Sequence, residues 1–267
     1  MNSDFSKIAP EILELSSEQR LAIIEILSKH RSKLTEIVKE LSATTSEVHR
    51  NLSRLSKAKI ISKDIDGYFL TSYGEVLYSQ ISTWKFFSQH KQFFTKHQMG
   101  ELPKKFSQRL GALSDSQSIK GFVKVQNTWK KIYENAEKYI YNILYEVPYE
   151  MELLKLIKLK SDQGVKFKTI FSTPIIVSDN RKELLSKTGL FKILKQDIIE
   201  RKIRKNTSVL VVLNEKEACV NFPSSDGSID VSELLYGKSE MLHEWCFDYF
   251  QHCWQNSSPF REELISK

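Results

Sequence analysis

The spacing of apolar and polar positions divides the chain into segments of different period. "SSEQRLAIIEILSKH" sets Leu21, Ile24, Ile26 and Leu27 on one stripe behind a capping Ser17, which predicts a helix. "KLTEIVKELSA" repeats that period through Leu34, Ile37, Val38 and Leu41. "TTSEVHRNLSRLSKAK" follows directly, with Thr44 and Glu47 at the spacing of a capping box. On this third helix Val48, Leu52 and Leu55 share one narrow sector, while Ser46, Arg50, Ser53 and Lys57 lie opposite, flanked by His49 and Arg54. The period then changes. "IISKDIDGYFL" has β-branched and aromatic runs around Asp66-Gly67, the signature of a two-stranded hairpin. Three helices and a hairpin are the order of a winged helix-turn-helix.

"LTSYGEVLYSQ" restarts a helix, with Ser72 and Glu75 spaced as a second capping box. The apolar pattern runs on through Trp84, Phe86, Phe87, Phe93 and Phe94 to about His97, so one long aromatic helix is expected. Gly100 and Pro103 interrupt it, and Lys85 to Arg109 reads as a basic connector with six Lys or Arg against one acid. Beyond the connector, "TWKKIYENAEKYIYNILYEV" passes from helical to strand spacing. "GVKFKTIFS", "TSVLVVLN" and "EACVNFP" are short β-rich runs, and "EMELLKLIKLKSDQG" and "GKSEMLHEWCFDYFQHCWQN" are amphipathic helices. The expected fold is mainly α with an α/β second domain. Its parts are a winged helix-turn-helix over 1–82, a long helix and hinge over 83–118, an α/β effector domain over 119–258 and a tail over 259–267.

Charge sharpens this picture. The formal net charge is +7, but residues 29–63 hold nine Lys or Arg against three acids, whereas residues 64–84 hold three acids and no Lys or Arg. The positive charge is therefore gathered around the third helix, a face suited to the major groove of double-stranded DNA. Arg50 and Ser53 are the first candidates for base contact, with Thr45, Ser46, His49 and Arg54 completing the face. Lys57, Lys59 and Lys63 are candidates for phosphate. The wing around Asp66 is too acidic for deep minor-groove insertion. One winged helix reads few base pairs, so a homodimer is expected, with Trp84, Phe87 and Phe94 of the aromatic helix as its seam, unless that helix packs onto the chain's own second domain instead. The competing reading is a winged-helix adaptor whose basic face meets another protein.

"IVKELSATTSEVHRNLSRLSKAKII" followed by "YFLTSYGEVL" resembles the winged helix of ArsR-like and MarR-like regulators, including their Leu-Thr-x-x-Gly start to the post-wing helix at Leu70, Thr71 and Gly74. "FFSQHKQFFTKHQMGELPKKFSQRLGALSDS", "NAEKYIYNI", "GVKFKTIFS" and "EWCFDYFQHCWQNSSP" resemble archaeal regulators whose effector domain is named after the methanogenesis regulator FilR. The Leu102-Pro103 hinge with Arg109-Leu110-Gly111 and the aromatic C-terminal helix are the more particular features. The resemblance implies a two-domain, dimeric transcription regulator.

Other chemistries find little support. Phospholipase-D-like catalysis requires His-x-Lys, and none of the six histidines has Lys two residues later. GxGxxG, Walker, GxSxG and HExxH motifs are missing, so no enzyme and no cofactor is expected. His243, Cys246 and Cys253 share a helix and could form a metal or redox sensor, although buried core thiols are the plainer reading and no metal site is assigned. An effector pocket is expected among Tyr141, Tyr145, Phe171 and "VLVVL", for a small molecule or a protein. No apolar run is long enough to span a bilayer and the N-terminus lacks a secretion signal, so a soluble cytoplasmic protein without membrane partners is expected.

Overall fold

Burial follows the apolar stripes of the first 84 residues. The helices α1 (Ala9–Leu15), α2 (Glu18–Lys29), α3 (Leu34–Leu41) and α4 (Thr45–Lys57) precede a hairpin of β1 (Ile61–Lys63) and β2 (Tyr68–Leu70), after which α5 (Ser72–Gln89) begins. Ile23 and Ile24 of α2, Ile37 of α3 and Val48 and Leu55 of α4 are wholly removed from solvent and form one cluster with Ile60 and Leu70. The computed structural model describes residues 5, 6, 8–146, 150–178, 181–190 and 199–261. The chain divides into two units, Met1–Trp84 and Lys85–Lys267.

Two local expectations change. The cap of α5 is Thr71, not Ser72: the Thr71 hydroxyl accepts from the Gly74 N–H (3.0 Å) and donates to the Lys59 carbonyl (2.7 Å). The Leu-Thr-x-x-Gly motif thus ties the start of α5 to the end of the preceding helix. The aromatic helix is also not continuous to His97. It stops at Gln89, His90 turns the chain, and a short α6 (Lys91–Phe94) follows. That turn brings Phe93 and Phe94 edge-on to Phe222, at 6.0 and 5.8 Å between ring centroids, so burial of two rings outweighs helix continuity.

The second unit is built on an eight-stranded mixed sheet in the order β10-β6-β5-β4-β7-β8-β9-β3. Its elements are α7 (Lys104–Ser107), β3 (Gln117–Lys120), α8 (Phe122–Asn135), β4 (Tyr139–Glu146), α9 (Met151–Asp162), β5 (Lys166–Ile176), α10 (Arg181–Thr188), β6 (Ile199–Lys205), β7 (Leu210–Leu213), β8 (Ala218–Asn221), β9 (Glu233–Gly237), α11 (Glu240–Gln255) and β10 (Ser258–Pro259). Strands β4, β5 and β6 run parallel, and every other pairing is antiparallel. The unit is an α/β structure with cores on both faces of the sheet. Ile143 and Val211 join the core with α11, whereas Ile140, Leu144 and Val212 join α8, α9 and α10. All four residues of β7 are therefore buried, which is why "VLVVL" is unbroken by polar residues.

The expected connector is part of this core. Phe86, Phe106, Leu110 and Leu113 are buried in the cluster with α11, and the Trp245 indole N–H donates to the Phe106 carbonyl (3.1 Å). Buried His97 fastens the segment further, its Nδ1 on the Phe93 carbonyl (2.9 Å) and Nε2 on Asp230 (2.8 Å). The expected tail also begins inside the fold. Ser258 and Pro259 pair with β6, and Phe260 packs on Phe171; residues 262–267 lie outside the described ones. No helix among the described residues is long and apolar enough to cross a membrane.

Candidate nucleic-acid interface

The presentation of α4 is fixed at both ends by backbone geometry. Ser42 in the left-handed region (φ 49°) turns the chain out of α3. Thr44 then caps α4: its hydroxyl accepts from the Glu47 N–H (3.3 Å), and the Glu47 carboxylate accepts from the Thr44 N–H (3.1 Å), the reciprocal box that the spacing predicts. At the far end Lys59 is left-handed (φ 59°). Its N–H donates to the Ser56 carbonyl and that of Ile60 to the Leu55 carbonyl, both at 3.0 Å, a Schellman stop. Lys59 thus occupies a position where glycine is usual.

Between these ends the helix has two sharply different sides. Val48, Leu52 and Leu55 are buried, while Thr45, Ser46, His49, Arg50, Arg54 and Lys57 are exposed and Ser53 is half-buried. Arg50, Lys57 and Lys59 form no ion pair among the described residues, although, after the Thr44 hydrogen bonds, the Arg50 charge helps hold the nearby Glu47 carboxyl down. Lys63, exposed on β1, lies over the Tyr68 ring at 5.3 Å.

Arg54 differs from its neighbours. Its Nε and Nη2 donate to the two oxygens of Glu14 at 3.0 and 2.7 Å, so α1 is clamped to α4 and the Arg54 charge is already matched. It was expected to face DNA, and the structure gives it a bracing contact instead. Arg20 completes the clamp from α2, donating to the Glu14 carbonyl (2.7 Å) and the Leu13 carbonyl (2.8 Å). Asn51, buried on the core side of α4, donates to Gln19 and accepts from Arg20 (3.5 Å). Sequence reading missed Glu14, Arg20 and Asn51. The available signal was Arg20 four residues before Ile24, and Asn51 between Val48 and Leu55: polar residues on a stripe otherwise wholly apolar.

The Glu14 carboxyl is held below its ordinary value of 4.5 by the Arg54 hydrogen bonds, against a desolvation cost and helped by the Arg20 charge. A folded pKa below the unfolded one means that the stabilisation is present above the unfolded value and lost as pH falls through the lowered one. Glu14→Gln is therefore expected to lower the urea midpoint of the first unit near neutral pH and to match the wild type in strong acid. An equal deficit at both pH values would show that the carboxylate charge plays no part.

The β1–β2 hairpin is less acidic in effect than its sequence suggests. Asp64 pairs with Arg31, and its other oxygen accepts from the Asp66 and Gly67 N–H groups at 3.0 and 3.2 Å. Arg31 also lies over the Phe69 ring at 4.4 Å. Gly67 has φ 136° and its Cα faces the Ser32 carbonyl, 2.6 Å from where a Cβ would stand. Only glycine fits there. The turn leaves Ile65 94% exposed at its tip.

The remaining candidates separate. Trp84 and Phe87 are exposed on α5, but Phe94 packs among Phe86, Phe87, Phe93 and Phe222. Tyr141 stacks on Tyr139 (4.4 Å) and Phe250 (5.0 Å) on the α11 face of the sheet and lines neither of the two cavities on the opposite face. Phe171 lines the smaller of these, about 70 Å³, and Tyr145 with Val212 the larger, about 210 Å³. The three expected pocket residues thus do not converge on one site.

Cys246 and Cys253 are buried, and burial pushes both thiols up, so the thiolate that a metal or an oxidant requires is disfavoured. His243 Nε2 is engaged by the Asn214 carbonyl (2.7 Å) and the Tyr139 hydroxyl (3.2 Å). Among the described residues no three His, Cys, Asp or Glu side chains are grouped to hold a metal ion.

No family model and no curated protein matches the chain. Among solved structures, the archaeal chromatin protein TrmBL2, described as showing a novel mode of DNA binding, aligns over 91% of this chain and 94% of its own, at 13% identity and a TM-score of 0.41. Nuc, a phospholipase D family member from Salmonella typhimurium, aligns over 55% of this chain and 99% of its own, at 12% identity and a TM-score of 0.40. NucT from Helicobacter pylori covers the same shares at 11% identity and a TM-score of 0.40. At these scores the likeness assigns neither an activity nor a ligand to this chain.

Proposed function

We propose that the protein is a sequence-specific DNA-binding transcription regulator without catalytic activity, in which the first unit is a winged helix-turn-helix, α4 enters the major groove and the second unit receives an effector. The observation that carries this reading is the outer face of α4: Ser46, His49, Arg50 and Lys57 stand in solvent while Val48, Leu52 and Leu55 anchor the opposite side. A helix so anchored presents long donors to base edges without having to order itself on binding. Arg50 reads a base, Lys57 and Lys59 meet phosphates, and Arg54 keeps α1 against α4.

A second copy supplies the other half-site. Tyr73, Val76, Trp84 and Phe87 are 42%, 62%, 50% and 37% exposed, and their spacing places them on one stripe of α5. An apolar stripe left in water is the usual mark of a helix that pairs.

The test is selection of bound fragments from a random DNA pool, followed by titration of two variants. The enriched site is expected to be a palindrome with half-site centres about 34–36 Å apart. Arg50→Ala is expected to lose roughly tenfold to a hundredfold in affinity for the selected site and little for random DNA. Lys59→Gln is expected to weaken both alike and to flatten the salt dependence by about 0.9 in the slope of log K against log salt. Failure to enrich any sequence, with both variants behaving alike, would favour a protein-binding adaptor.

A further inference from the structure

If the second unit receives an effector, the larger of the two cavities on the sheet face opposite α11 specifies the effector's chemistry. The floor of this cavity is Leu144 and Val212, and its walls carry Phe122 and Trp129 of α8 and Tyr145 of β4. Phe122 remains 51% exposed there, so a large ring is kept in water beside an open apolar space. At about 210 Å³ the cavity is smaller than the roughly 300–1,000 Å³ typical of drug-sized ligands. It suits a compact, flat molecule.

Three carboxylates line the same cavity. Glu152 is matched by Lys130, whose Nζ lies 2.5 Å away, and that contact holds its carboxyl below the ordinary range. Glu150 also feels the Lys130 charge, whereas Glu146 forms no ion pair among the described residues. Glu150 caps α9, where negative charge is favourable in any case, but Glu146 ends a strand and gains nothing from a helix. With three carboxylates against the single cation of Lys130, the cavity keeps an acidic excess within a chain of net charge +7, and so repels anions and draws cations locally. The faces of aromatic rings attract the same sign of charge.

We propose that this cavity binds a small organic cation, an amine on a flat apolar body, with the body against Phe122 and Trp129 and the ammonium at Glu146. The assignment rests on the effector reading of the second unit.

Calorimetric titration of the full-length protein with three indoles of one shape tests it: tryptamine (cation), tryptophol (neutral) and indole-3-acetate (anion). Tryptamine is expected to bind in preference to both others, and Glu146→Gln to weaken it about tenfold without lowering the melting temperature. Equal binding of the neutral or anionic indole, or no binding of tryptamine, overturns the proposal, and this comparison needs no variant. DNA affinity measured with and without saturating tryptamine then separates the two claims. A change supports the regulatory reading, whereas unchanged affinity with tryptamine bound refutes that reading and leaves the cation site standing.

Discussion

Gly74→Ala is expected to lower the stability of the first unit by about 3 kcal/mol, the upper part of the range for overpacking. A Cβ at position 74 would stand 2.0 Å from the Ile60 carbonyl oxygen and 3.0 Å from its carbon, and both atoms are backbone, so no side chain can swing away. The Ile60 carbonyl is not free to move. It accepts the Thr71 N–H (3.1 Å), while the Ile60 N–H closes the stop of α4 on the Leu55 carbonyl. Moving it strains the end of α4 at the point where Lys57 and Lys59 are presented. Amide hydrogen exchange is the appropriate measurement, because loss of protection should concentrate in α4, β1 and the start of α5. Unchanged exchange in α4 would mean that the Leu-Thr-x-x-Gly motif does not position α4.

That motif shows how far sequence pattern reaches. Leu70, Thr71 and Gly74 are visible as a spacing, and the capping box of Thr44 and Glu47 forms as its spacing predicts, because both are local features within one turn. The choice between Thr71 and Ser72 as the cap of α5 is not local. It is decided by the Lys59 carbonyl, twelve residues away, which takes the Thr71 hydroxyl. Arg54 has the same lesson at longer range. On a helical wheel it belongs to the cationic face, and only the fold brings Glu14, forty residues earlier, within 2.7 Å of it.

In the second unit the missed elements have a common cause. The strands β3, β6 and β9 carry short or charged sequences such as "IERKIRK", whose period-2 signal is weak without the sheet around them. The helix breaks at His90, ahead of Gly100 and Pro103 where the sequence places the interruption, and although Gly100 itself is exposed the segment is pinned into the core on either side by Phe93, His97, Phe106 and Leu110. Phe86, Phe93, Phe106 and Leu110 are spaced too irregularly for any one helical face, and the short turns between them allow each to enter the core in succession. For the pocket, "VLVVL" marks a doubly buried strand correctly but cannot say which face has room. The alternation along β4 decides it, sending Tyr141 into the packed α11 side and Leu144 to the cavity side.

Trp245→Ala is expected to cost the second unit about 3–5 kcal/mol, the range for deleting a fully buried large aromatic. For a unit of this size the melting temperature would fall by on the order of 10 °C. Trp245 is the largest side chain with no solvent exposure, and its removal takes away more than volume. Its ring meets Phe106 at 5.8 Å and Tyr249 at 5.7 Å, and its N–H holds the Phe106 carbonyl. Alanine would leave a cavity and remove one of the two hydrogen bonds to the Phe106 carbonyl, which keeps the Arg109 N–H (3.0 Å), and both losses fall on the segment from Phe86 to Leu113 that sequence alone reads as a hinge. Trp245→Phe separates them, since it keeps most of the volume and loses only the donor, at a cost of about 1 kcal/mol for one hydrogen bond to a carbonyl that keeps another. If that segment were a hinge, both variants would melt within a degree or two of the wild type. If it is core, the alanine variant melts well below the phenylalanine one, and exchange protection falls around Phe106 in both.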